Sequence, residues 1–210
     1  MSINMNVSND NLRSEDVSLM SPQHDTPALV CALAGGGLGL LASFVLSLET
    51  LHLAQHPNGT LGCDLNAAFS CSTVANHWSA TVLGFPNSFV GMITLPVVIT
   101  IMVALLARAT LPRWFLRATW AGTIAGMLFA VWMFYASYVL IGALCPWCLT
   151  LDVGMLLIFF GTTRYMIQSG VIGSSRMRRW SRQGYDIMCT LSVFVLVLAL
   201  IIIKFGASIL

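Results

Sequence analysis

The chain has 210 residues, of which 57% are hydrophobic and 9% charged, and its mean hydropathy is +0.83. A soluble domain carries about 25% charged residues, so that class is excluded and the composition is that of an all-α integral membrane protein. The net charge of +2 gives no sign of a nucleic-acid partner. What matters is where the ten Lys and Arg residues fall.

Residues 1–27 are polar with Arg13 as their only basic residue. They lack the basic start of a signal peptide and read as a disordered cytoplasmic tail. Residues 28–48 are uncharged and long enough to cross a bilayer, which takes about 20 residues. The cluster Gly35-Gly36-Gly37-Leu38-Gly39 has no Lys-Ser/Thr after it, so it reads as a surface for close helix packing and not as a phosphate loop. Residues 49–88 form an outer loop without a single Lys or Arg, and they include His52, His56, Cys63, Asp64, Cys71, His77 and Trp78. The histidines lack ligand spacing and are expected to be solvated.

A second span covers 89–107 and contains Pro96, which neighbouring helices can accommodate. Arg108, Arg113 and Arg117 follow in a short turn, then a third span over 118–144 and a fourth over 148–163. Arg164, Arg176, Arg178, Arg179 and Arg182 mark the next connection, a solvated loop that fixes topology, and 187–205 is the fifth span. By the positive-inside rule both arginine-bearing connections and the amino terminus are cytoplasmic. Cys63, Cys71, Cys145 and Cys148 then fall on the outer face, where disulfides persist. Cys31 and Cys189 fall at the inner ends of the first and fifth spans and read as small apolar filler.

The segment Leu144-Cys145-Pro146-Trp147-Cys148 carries the chemistry. Pro146 suits the first turn of a helix, and a helix starting there puts Cys145 at the positive end of its dipole. A thiolate is stabilised at that position, as thiol–disulfide exchange requires. The outer face thus holds a loop pair, Cys63 and Cys71, and a membrane-edge pair, Cys145 and Cys148. Zinc ligands usually have two to four residues between them in each half of a site, whereas seven residues separate Cys63 from Cys71. A relay accounts for two dithiols: a mobile loop pair meets a soluble thiol protein, then exchanges with the second pair, which passes electrons to a lipid-soluble quinone. A non-enzymatic thiolate metal site is the reading from a different class.

Cys63-Asp64-Leu65 through Ser70-Cys71-Ser72, then Leu83-Gly84-Phe85-Pro86-Asn87-Ser88, then Leu144-Cys145-Pro146-Trp147-Cys148 resemble the vitamin K epoxide reductase family in its bacterial form. The order of the cysteines, loop pair before membrane pair, is the specific part. The resemblance implies a four-helix transmembrane bundle around a quinone (ubiquinone or menaquinone), with a fifth helix alongside, all within a membrane domain over 28–206. It also implies that Cys148 lies beside the quinone with Cys145 as its bridging partner. Cys71 would exchange with Cys145, and Cys63 would meet the substrate protein. Asn87 matches the position that hydrogen-bonds a quinone carbonyl, though Asn87-Ser88 also suits a helix cap. Trp78 matches a short surface helix over the pocket and equally suits an interfacial anchor.

Two departures stand out. Many members carry a tyrosine where this chain has Asp152, and an acid inside a membrane helix is a functional candidate, as a proton source or a polar packing partner. Many bacterial members also continue into a thioredoxin-like domain, so a DsbA-type partner acting in trans is expected here. The resulting expectation is an inner-membrane oxidoreductase that moves electrons from a thioredoxin-like protein to a quinone. Reduction of a vitamin K-type epoxide is the nearer alternative.

Overall fold

The computed structural model describes residues 25–56, 59, 61–66 and 68–209, so most of the expected tail lies outside the described residues. Five helices among the described residues are long and apolar enough to cross a membrane: Thr26–Gln55 (α1), Ser88–Leu106 (α3), Arg113–Ile141, Pro146–Gln168 (α5) and Tyr185–Gly206. The third consists of α4 (Arg113–Tyr135) and a π-helical turn over Ala136–Ile141, and the last lies within α7 (Tyr185–Ile209). The short helices α2 (Cys71–Ala75) and α6 (Ser175–Arg182) and a 3₁₀ turn, Trp78–Thr81, occupy the connections. The protein is therefore an all-α, multi-pass membrane protein, with α1, α3, α4 and α5 as its bundle.

The first helix is longer at both ends than its uncharged stretch. At one end Asp25 precedes a helix that starts at Thr26 with Pro27 in its first turn, where a missing N–H leaves no bond unmade. At the other, Glu49, Thr50, His52 and Gln55 continue the helix past residue 48, because polar side chains do not end a helix when no proline or glycine intervenes. Consequently Glu49 sits on a rigid element and not in a loop.

Within the bundle α1 packs most extensively on α5 and next on α3, and α4 packs on α5. The α1–α5 contact is close enough to exclude side chains. A Cβ on Gly35 would stand 2.6 Å from the Gly154 carbonyl oxygen, and one on Gly154 would stand 2.8 Å from that of Gly35. That is the close-packing use expected of the first span's glycines, and Gly154 on α5 completes it. Cys31 lies in the same contact, its sulfur 4.0 Å from the Leu157 carbonyl oxygen, whereas Cys189 is exposed on α7.

Helices α3 and α4 leave a gap between them, and this gap opens through the side of the bundle: Ile93 and Val97 line the interior cavity yet remain exposed. The other side of the bundle carries α7, attached near its two ends. At the end bearing the arginines, Arg164 Nε donates to Asp25 Oδ2 at 2.6 Å and Nη1 to both Asp186 oxygens at 2.9 and 3.0 Å. This joins α5, α7 and the start of α1. Arg164 is thus a helix residue in a charged triad and not part of a solvated connection. At the cysteine end Lys204 donates to the Tyr138 carbonyl and lies 4.3 Å from the Tyr138 ring centre, and Phe205 is buried with Ala68 and Leu144.

Candidate active site at the cysteine end of the bundle

Helix α5 begins at Pro146, as the Cys-Pro dipeptide predicts. Cys145 is the residue before it, and its sulfur accepts the Cys148 N–H at 3.4 Å. The Cys148 side chain and the N–H groups of Cys148 and Trp147 lower the Cys145 pKa, against its burial and the Glu49 charge. What the sequence pattern does not reveal is how the loop reaches it. The backbone at Phe69 pairs in parallel with that at Leu144: Ser70 N donates to Leu144 O at 3.0 Å and Leu144 N to Ala68 O at 2.8 Å. Gly142, at φ +72°, ends the π turn and releases the chain into this pairing, a conformation that favours glycine.

The consequence is a contact between the two cysteine pairs. Cys71 opens α2, capped by Ser70, whose hydroxyl accepts the Thr73 N–H. Cys71 is joined to Cys63 in a disulfide, with 5.8 Å between their Cα atoms. Cys145 and Cys148 are free thiols, and Cys145 Sγ lies 3.1 Å from Cys71 Sγ. Cys63, Cys71 and Cys145 are all buried. Cys71, the loop cysteine expected to exchange, is thus held in place, whereas the sequence reading pictures it swinging on a mobile loop.

Asp64 secures this arrangement. One carboxylate oxygen accepts Leu61 N at 2.8 Å, and the other accepts Ser72 N at 3.0 Å and the Ser70 hydroxyl at 2.9 Å. Burial opposes its ionisation, but the backbone N–H groups of Ser72 and Leu61, with the Ser72 and Ser70 hydroxyls, hold the pKa down to about 2. Glu49, a residue that sequence reasoning missed, approaches the same bridge from α1, with both carboxyl oxygens 3.2 Å from Cys63 Sγ. Glu49, Cys63 and Cys71 have the spacing of a metal cluster. Their two sulfurs are bonded to each other, so in this state neither is a thiolate ligand.

Beneath the cysteines lies a cavity of about 680 Å³ with almost wholly apolar walls from α1, α3, α4 and α5. Its sulfur, carboxyl and amide groups sit at the cysteine end, on Cys71, Cys145, Cys148, Asp152 and Asn87, whereas Thr94, Thr119 and Thr123 line the walls further along. Cys148 and Asp152 are one turn apart on α5, both half-buried. Asn87 precedes α3 but its side chain does not cap it. The amide nitrogen donates to Ser79 O at 2.7 Å and stands 3.6 Å from Met133 Sδ, while Oδ1 is buried with no partner. An acceptor left unpaired out of reach of water costs free energy.

Trp78 opens the 3₁₀ turn but is 62% exposed, and Ala80 of the same turn reaches the wall in its place. The Trp78 ring is tilted against that of Trp132, which in turn packs on the lining residue Phe129. His77 caps the 3₁₀ turn by accepting Ser79 N, so it has a structural partner that the sequence does not show.

The profile of one family, described as the vitamin K epoxide reductase family, matches residues 30–163. The chain belongs to this family. The matched region runs from α1 into α5 and includes all four cysteines of the site. A search of curated proteins finds no match to the chain. Membership makes this membrane protein a thiol-linked oxidoreductase.

Proposed function

We propose that the protein carries electrons from a reduced thioredoxin-like protein, through Cys63–Cys71 and then Cys145–Cys148, to a membrane quinone, and so sustains disulfide formation outside the cytoplasm. The observation that carries this reading is the 3.1 Å approach of Cys145 Sγ to Cys71 Sγ above an apolar cavity. The first exchange begins when a soluble dithiol reduces the loop bridge. Cys71 then attacks Cys145 of a Cys145–Cys148 bridge, and Cys148 leaves as a thiolate facing the cavity. Cys63 closes on Cys71 and releases Cys145. The bonding seen here, with the loop pair joined and Cys145 and Cys148 free, is what that last step yields.

The cavity suits a quinone: its walls are apolar, and Asn87 lines it with an Nδ2 whose second hydrogen meets only the Met133 sulfur, a weak acceptor. Cys148, Asn87 and Asp152 would hold the ring end. A bound quinone supplies an acceptor for two electrons and two protons. Asp152, one turn beyond Cys148, delivers a proton at the cavity wall. The absence of Lys and Arg from 49–88 supports an outward-facing cysteine end, with α6 and its arginines in the cytoplasm. Trp78 suits the membrane–water interface beside the site.

The test mixes purified protein with a soluble quinone and a reduced thioredoxin-like substrate and follows quinol formation. Wild type should turn over, and Cys71→Ser should not. Oxidation of the substrate that proceeds unchanged in Cys71→Ser would refute the relay. Turnover of a quinone epoxide without quinone reduction would shift the acceptor assignment.

A further inference from the structure

Glu49 stands outside the relay of the four cysteines, yet touches it. Its carboxyl presents both oxygens to Cys63 Sγ at 3.2 Å. In the disulfide Cys63 has no hydrogen to give, so an ionised carboxylate against it would face only sulfur lone pairs. A proton on the carboxyl turns the contact into a hydrogen bond, and in the reduced loop a proton on Cys63 does the same from the other side. The pair is therefore satisfied in both redox states provided one proton moves between oxygen and sulfur.

We propose that Glu49 is a catalytic acid–base residue that takes the Cys63 proton as the loop disulfide closes and returns it when that disulfide is reduced. This rests on the thiol relay proposed above. In the closing step, Cys63 thiol, Glu49 carboxylate and a Cys71–Cys145 disulfide become a Cys63–Cys71 disulfide, Cys145 thiolate and Glu49 carboxylic acid. The Cys63–Cys71 bond forms and the Cys71–Cys145 bond breaks. The Cys63 sulfur is oxidised, the Cys145 sulfur is reduced, and the net charge is unchanged. The released Cys145 thiolate is received by the Cys148 N–H at the start of α5. In the reverse sense, Cys63 leaves a soluble dithiol partner as a thiolate and Glu49 protonates it.

The placement suits the task. Glu49 lies on α1 near its end, half-buried and fixed by the helix, so the carboxyl stays in register while the disulfide breaks and re-forms. The ionisable groups that face it are Cys63, Cys71 and Asp64 from the loop and Cys145 and Cys148 from the start of α5, with His52 one turn further along its own helix. None of these is a lysine or arginine.

Two measurements on the full-length protein test it. Fully reduced protein holds two dithiols, so mixing it with excess soluble quinone should give quinol in two phases, first from Cys145 and Cys148, then from the loop pair. Glu49→Gln should leave the first phase intact and slow the second about 100-fold, within the range of general acid–base catalysis, and Glu49→Asp should restore part of the rate. The second measurement needs no quinone. Infrared difference spectra between reduced protein and protein with the loop oxidised by glutathione disulfide should gain a protonated-carboxyl stretch that Glu49→Gln lacks. An unchanged second phase, an equal slowing of both phases, or a carboxyl band that persists in Glu49→Gln would each overturn the role of Glu49. Wild-type protein that gives no quinol in either phase would instead overturn the relay itself, and the infrared comparison would still judge Glu49.

Discussion

Single residues at this site can be tested one contact at a time. Asp64 holds Cys71 through the Ser72 N–H and the Ser70 hydroxyl. Its pKa is lowered to about 2, against an ordinary value of about 3.9. Its contribution is therefore fully present above about pH 4 and is lost as pH falls toward 2. Protection factors against hydrogen exchange at the Leu61 and Ser72 amides should fall in that window, and in Asp64→Asn they should be low already at pH 7. Trapping of Cys71 with Cys145 should slow roughly tenfold in this variant, equivalent to about 1.4 kcal/mol of barrier. The contact between the pairs has its own test in the double variant Cys63→Ser, Cys148→Ser, which has neither resolving thiol. After oxidation, peptide mapping without reductant should recover Cys71 linked to Cys145 in most of the protein, and finding both free would show that 3.1 Å approach to be unproductive. For Asn87, whose side chain does not cap α3, Ala removes the donor to the buried Ser79 carbonyl at a cost of about 1–3 kcal/mol, and should weaken quinone binding beyond what that loss explains. A large stability loss at normal affinity would return it to a packing role.

At the scale of elements, two close approaches carry the architecture. The Gly35–Gly154 contact brings α1 against α5 and with it Glu49 against Cys63. Gly154→Leu should cost at least the roughly 1–3 kcal/mol typical of overpacking, read as a lowered Tm in detergent. The pairing of Phe69 with Leu144 is the second. Leu144→Pro deletes the N–H that bonds Ala68 O, so exchange between Cys71 and Cys145 should fall while the Cys63–Cys71 disulfide still forms. These elements also mark how far the sequence could be read. The five spans and the helix start at Pro146 were legible because hydropathy and a Cys-Pro dipeptide act locally. The pairing at Leu144 was not, since one bridge between segments more than seventy residues apart leaves no periodic trace. Hydropathy assigns Glu49 and Arg164 to connections because charge ends a hydropathy window, although it does not end a helix. Their contacts across the fold, to Cys63 and to Asp25 and Asp186, depend on tertiary structure alone.

For the molecule in its membrane, orientation decides which compartment each cysteine meets. A thiol reagent that cannot cross membranes, applied to intact reduced cells, should label Cys63 and spare Cys189. The reverse pattern would turn the protein over and put the cysteine end in the cytosol. The side opening between α3 and α4, where Ile93 and Val97 are both wall and surface, bears on how the protein must be assayed. A ligand that arrives sideways has first dissolved in the bilayer, so its effective concentration is molecules per lipid and not moles per litre. Extra empty lipid should therefore slow turnover at constant total quinone, and restoring the quinone-to-lipid ratio should recover it. The aqueous phase around such a protein is a reservoir for its protein partner only, and its two substrates obey separate dilution laws.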